Sequence, residues 1–198
     1  MTSVTWPRAR SALVSGVAVL LLAGAVGCDS GDDVGGSSDA APGSQESDAP
    51  GVDTVITIEH GEGMDASRQA KVLAGVTAVI DPWFDEAFLG EFPRSDFSEA
   101  FTAFTKDAAA DAQRDLDLLS SSGIADQIDS ATATNRRVRL DVFAPDGHPR
   151  GVTANFVLDY DTSGELEEQL RVHGALYLAK DKGEWKVFGY DVDEAAQL

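Results

Sequence analysis

Residues 137–190 alternate between apolar and polar side chains, and short turn-forming clusters cut that alternation into pieces. Val138, Leu140 and Val142 alternate with Arg137, Arg139 and Asp141. Val152, Ala154, Phe156, Leu158 and Tyr160 alternate with Thr153, Asn155 and Asp159. A period of two sends successive side chains to opposite faces of a sheet, so each piece is a strand with one face to bury. Leu170, Val172, Leu176 and Leu178 mark a third strand, and the run from Trp185 to Tyr190 a fourth. The turns fall at Pro145-Asp146-Gly147, Asp161-Thr162-Ser163-Gly164 and Asp181-Lys182-Gly183. Connections this short join antiparallel neighbours, because parallel strands need crossovers of about a dozen residues or more. The expected product is an antiparallel meander whose apolar face must be covered by the rest of the chain.

What precedes the meander supplies the cover. Residues 52–58 are short and rich in β-branched side chains, which predicts a strand at a sheet edge. From Ser67 a helical pattern begins, with Leu73, Thr77, Ile80 and Phe84 on one face. Asp81 followed by Pro82 predicts a kink or a fresh helix start, and Gly90 closes the segment. Asp96 with Glu99 imitates a capping box, and Phe97, Phe101, Phe104, Ala108, Ala112, Leu116 and Leu119 form one apolar stripe. That second helix is expected to stop at Ser121-Ser122-Gly123. The fold class is therefore α+β: two or three N-terminal helices packed on a four- or five-stranded antiparallel meander, in a single domain over residues 52–198.

Helices followed by a meander that ends in Trp185-Lys186-Val187-Phe188 resemble the nuclear transport factor 2-like, or cystatin-like, superfamily. The resemblance covers about residues 67–192 and rests on element order. It implies a cone-like body in which helices and a bent sheet enclose a pocket used for catalysis, binding or dimerisation. Two departures stand out: no clear strand lies between the helices, and an extra one precedes them.

The N-terminus carries a different kind of information. Arg8 and Arg10 precede an almost unbroken apolar run from Ala12 to Val26, and the only cysteine of the chain follows at Cys28. A positive start, an apolar stretch and small residues at its end make an export signal. Ala25-Val26-Gly27-Cys28 resembles the lipobox of bacterial lipoproteins, although that family prefers Leu, Val or Ile where this chain has Ala25. The resemblance implies a signal peptide over residues 1–27, cleavage before Cys28 and lipid on its thiol. A plain secretory signal or an uncleaved membrane anchor are the alternatives, and the run is at the lower limit of the ~20 residues a spanning helix needs.

Residues 28–51 are built from Gly, Ser, Asp, Ala and Pro, with Val34 the only large aliphatic residue and no Lys or Arg. Such a stretch buries too little apolar surface to offset its ordering entropy, and it is expected to be a disordered acidic tether. Without Arg8 and Arg10 the chain has 13 basic residues against 34 acidic ones, a net charge of −21. That charge repels nucleic acid and anionic lipid alike, so membrane attachment is assigned to lipid on Cys28. The expected partners are the membrane and either an envelope protein or a small ligand.

Catalytic signals are sparse. No nucleophile elbow, phosphate loop, zinc spacing or calcium loop occurs, and no cofactor is implied. His173, mid-strand with Tyr177 on its own face, is the candidate acid or base, with Asp81 or Asp85 available to set its pKa. The bland alternative is an imidazole on a half-exposed sheet face. Arg136, Arg137 and Arg139 form the densest positive cluster, suited either to an anionic partner or to carboxylates across the strands. Trp83 and Phe92 are candidates for an exposed apolar docking patch. The function expected from these features is a lipid-anchored, extracytoplasmic binding or scaffolding domain without catalysis. The competing expectation is a small-molecule pocket with isomerase-like chemistry around His173.

Overall fold

The computed structural model describes residues 51–198. The signal-like residues 1–27 and all of the acidic stretch but Gly51, with Cys28 in it, lie outside the described residues. The described residues form a mixed helix-and-sheet structure with three α-helices and a seven-stranded, mostly antiparallel open sheet. In order come β1 (Val55–His60), α1 (Ala66–Phe88), β2 (Gly90–Glu91), α2 (Lys106–Ala112) and α3 (Leu116–Leu119). Then follow β3 (Ile128–Phe143), β4 (Gly151–Gly164), β5 (Gln169–Asp181), β6 (Glu184–Val192) and β7 (Ala196–Gln197). The described residues fall within one compact unit, and no helix among them is long and apolar enough to cross a membrane.

Strands β3 to β6 form the expected antiparallel meander, joined by short turns. Strand β1 does take an edge position, but it runs parallel to β3, with Val55 opposite Arg137 and Ile58 opposite Leu140. The long helical segment between them is the crossover that a parallel pair requires. The sheet is larger than the four or five strands expected, because β2 and β7 add two residues each, against β3 and β5. Strand β2 is the strand between the helices that the sequence concealed: two residues carry no period. Strand β3 starts ten residues before Val138, and β4 continues through the supposed turn at Asp161 to Gly164.

Helix α1 starts where Asp65 accepts the Arg68 N–H at 2.8 Å. It then runs through Pro82 without a break, against the expected fresh start. The reason is energetic. A proline inside a helix costs ~3 kcal/mol, but Trp83, Phe84 and Phe88 continue the buried stripe of Val72, Val76 and Ile80. Each buried aromatic returns ~1.5–3 kcal/mol, so the two halves stay in register over one sheet. Trp83 meets Phe156 edge-on at 5.0 Å and Phe88 at 5.4 Å, and Phe88 reaches Tyr160 at 6.2 Å. The space between helix and sheet is thereby filled with aromatic and aliphatic side chains.

The stripe from Phe97 to Leu119 is buried as expected, except that Leu116 is only partly so, yet it is not one helix. A 3-10 turn (Ser98–Phe101), α2 and α3 share it. Between them the backbone leaves the helical path to bond with β6: Thr105 N–H donates to the Val187 carbonyl at 2.8 Å, and Val187 N–H to the Ala103 carbonyl at 3.0 Å. This pairs the free edge of β6 at Val187, whose backbone groups would otherwise lack a strand partner there. Asp96 accepts the Ser98 N–H at 2.9 Å but does not cap the 3-10 turn, whose N-cap is Phe97 without a side-chain bond, while Thr105 caps α2.

Candidate functional site

The geometry that most resembles a binding site lies where α1 passes the β5–β6 hairpin. Trp185 sits on the helix-facing side of β6, buried, with its indole edge against the backbone of α1 at Gly75. A Cβ at Gly75 would stand 2.6 Å from Trp185 Cδ1, so only glycine lets the indole approach this closely. One helical turn earlier is Lys71, and one turn later are Ala78 and Val79. Together with Ala103 from the loop along β6, they wall a cavity of about 490 Å3.

Lysines surround this apolar floor. Lys71 enters from α1, Lys180 from the end of β5 and Lys186 from β6. Lys180 is the cross-strand partner of Trp185 and holds its Nζ 5.2 Å from the indole centre. Lys186 donates from Nζ to the Thr102 carbonyl at 3.4 Å and approaches Glu184 at 3.9 Å. Glu184 is the single carboxylate on the cavity wall, and its side chain is 79% exposed. Lys182 and Gly183 form the two-residue hairpin turn with positive φ (51° and 97°), a conformation that glycine takes freely and lysine seldom does. Local sequence gives no sign of this site, since it depends on a glycine and a tryptophan 110 positions apart meeting in space.

The residues singled out from sequence occupy other places. Trp83 is buried under Phe156, and Phe92 is 8% exposed, so neither offers the docking patch expected of it. Both belong to the apolar stripe that covers the sheet. Exposed large apolar side chains instead include Phe143 and Phe188, at 68% and 56%, on the opposite face. Arg136 is not part of a surface cluster. It is buried, and Nη2 donates to Asp85 of α1 at 2.5 Å, so its carboxylate partner lies on the helix. Arg137 and Arg139 are exposed on the outer face, and Arg139 approaches Glu59 at 3.6 Å.

His173 also faces outward, because in β5 the buried partners are Val172, Leu176 and Leu178. Its Nδ1 lies 2.9 Å from Asp193, and its side chain is 52% exposed. Tyr177 shares that face and stacks near Phe188 at 6.3 Å. The structure does not bring Asp81 or Asp85 to His173: Asp81 accepts from the Thr54 hydroxyl at 2.6 Å, and Asp85 is bound to Arg136. Burial raises the Asp81 carboxyl above the ordinary value, opposed by the Thr54 hydrogen bond and by Arg136. His60 is raised by its bond to Asp141 at 2.5 Å.

A second cavity, of about 390 Å3, opens at the other end of the sheet and has the opposite character, lined by Asp117, Glu168 and Glu194 beside Tyr160 and Ser121. Among the described residues no group of three His, Cys, Asp or Glu is placed to hold a metal ion. Comparison with protein-family models, with curated proteins and with solved structures finds no match.

Proposed function

We propose that the protein is a lipid-anchored, extracytoplasmic binding domain of the cell envelope, held at the membrane by lipid on Cys28 and carried on the acidic stretch that follows. The observation that carries the binding part is the open lysine-rimmed cavity over Trp185, beside a core that aromatic side chains already fill. A filled core with an open cavity next to it suits recognition of a ligand without chemistry upon it. The cone-like body of the nuclear transport factor 2-like superfamily belongs to the same reading, supported by a helix laid across one face of a long antiparallel meander. The isomerase-like alternative has less support, since His173 and Tyr177 lie on the open face of the sheet.

The anchoring part rests on the apolar run and the lone cysteine that ends it. Its test is fractionation of cells producing the wild-type chain or Cys28→Ser. The wild type is expected in the membrane fraction and the variant in the soluble extracytoplasmic or unprocessed pool. Equal partitioning of the two would defeat the lipid anchor.

A further inference from the structure

The chain has five lysines, and three of them rim one cavity, in a protein whose formal net charge is −19. Among the described residues Lys71 and Lys180 have no carboxylate within ion-pair distance, and Lys186 meets only the solvent-exposed Glu184. Lysines in so acidic a surface would ordinarily be drawn to nearby carboxylates. Here three of them face one cavity whose wall carries a single carboxylate, so positive charge outnumbers negative on that wall.

Part of the wall beneath the ammonium groups is apolar, built from small side chains. Gly75, Ala78, Val79 and Ala103 present little more than methyl groups, and the Trp185 indole closes the floor. At about 490 Å3 the cavity lies within the ~300–1,000 Å3 range of small-molecule sites, and it is far larger than a bare oxyanion needs. We infer that it binds a small organic anion: an apolar body laid against the small residues of α1 and the exposed margin of Trp185, with a carboxylate or phosphate held by Lys71, Lys180 and Lys186. This names the ligand class for the binding function proposed above and rests on that reading. Its failure is separable, because ligand binding is read in solution and anchoring by fractionation.

Calorimetric titration of the full-length chain at low salt tests it, with 2-naphthoate as probe. Two controls divide the ligand into its parts: 2-naphthalenemethanol keeps the rings without the charge, and inorganic phosphate keeps a charge without the rings. Binding of 2-naphthoate is expected to exceed that of either control. Lys180→Gln should weaken it about three- to fivefold, the worth of one screened charge pair, and Lys71→Gln with Lys180→Gln should weaken it further. Lys180→Arg should restore most of the affinity. Both lysines are exposed, so the fold survives these changes, which circular dichroism verifies. No measurable binding of 2-naphthoate overturns the inference. So does equal binding of the neutral alcohol, phosphate binding as tight as naphthoate, or indifference to the lysine substitutions.

Discussion

Arg136 ties the sheet to α1 through a buried ion pair. Its side chain is 1% exposed, and Asp85 supplies a carboxylate at 2.5 Å, itself 29% exposed. Removing Asp85 takes a carboxylate away from a buried charge. Asp85→Ala is therefore expected to cost about 3 kcal/mol in chemical denaturation. Asp81, one turn earlier on α1, behaves in the reverse sense. Its raised pKa means that the fold favours the protonated form, so its contribution is fully present below the ordinary value of 3.8 and is lost as pH rises through the raised value. Asp81→Asn keeps an acceptor for Thr54, and it is expected to raise the melting temperature at neutral pH while leaving acid stability unchanged. Asp159 runs opposite again. Arg171 donates Nε to one of its oxygens at 2.6 Å and Nη2 to the other at 2.8 Å, and holds its carboxyl below the ordinary value. Its contribution is present above 3.8 and lost as pH falls through the lowered value, so the gap between wild type and Asp159→Asn should close in acid. Melting curves over a pH series separate Asp81 from Asp159.

At the scale of elements, Pro82 allows the clearest experiment. It is exposed, and it has no N–H to give the carbonyl of Ala78. Pro82→Ala restores that bond and removes nothing from the core, so it should stabilise the protein by about 1–2 kcal/mol in denaturant titration. The same helix shows what could be read from the chain and what could not. The strands β4 and β5 were legible because one face is buried and the other wet, which imprints a period of two. The interruption at Pro82 was misread because propensity acts locally, whereas Trp83, Phe84 and Phe88 are held by a sheet 70 residues onward. The stripe from Phe97 to Leu119 has helical spacing throughout, and three short pieces satisfy it equally well once the edge of β6 claims residues 103–105. Trp83 and Phe92 looked like docking residues because they flank an apparent helix break; with no break, they are core. The lysine cavity left no trace in any local window, since only tertiary contact unites Gly75 with Trp185.

As a whole, the body formed by the described residues has two unlike faces. One carries α1 and the filled core; the other is an open sheet where Arg137, Arg139, Arg171 and His173 alternate with Thr153, Asn155 and Tyr177. Phe143 and Phe188 project from that open face and flank a shallow depression of about 150 Å3 around Gly151 and Thr153. Since both rings are mostly exposed, Phe143→Ser and Phe188→Ser should shift stability by no more than about 0.5 kcal/mol. Melting curves of the two variants check this, and a larger loss would mean that the rings are covered in solution. A mechanical consequence follows from the position of β1. Gly51 bridges Ala133, and β1 then lies parallel along β3. Any pull transmitted through the preceding residues reaches the body along that seam. Tension aligned with the seam loads its backbone bonds together in shear, while tension across it peels them singly, so the hold of the fold on its N-terminal edge depends on the direction of tugging.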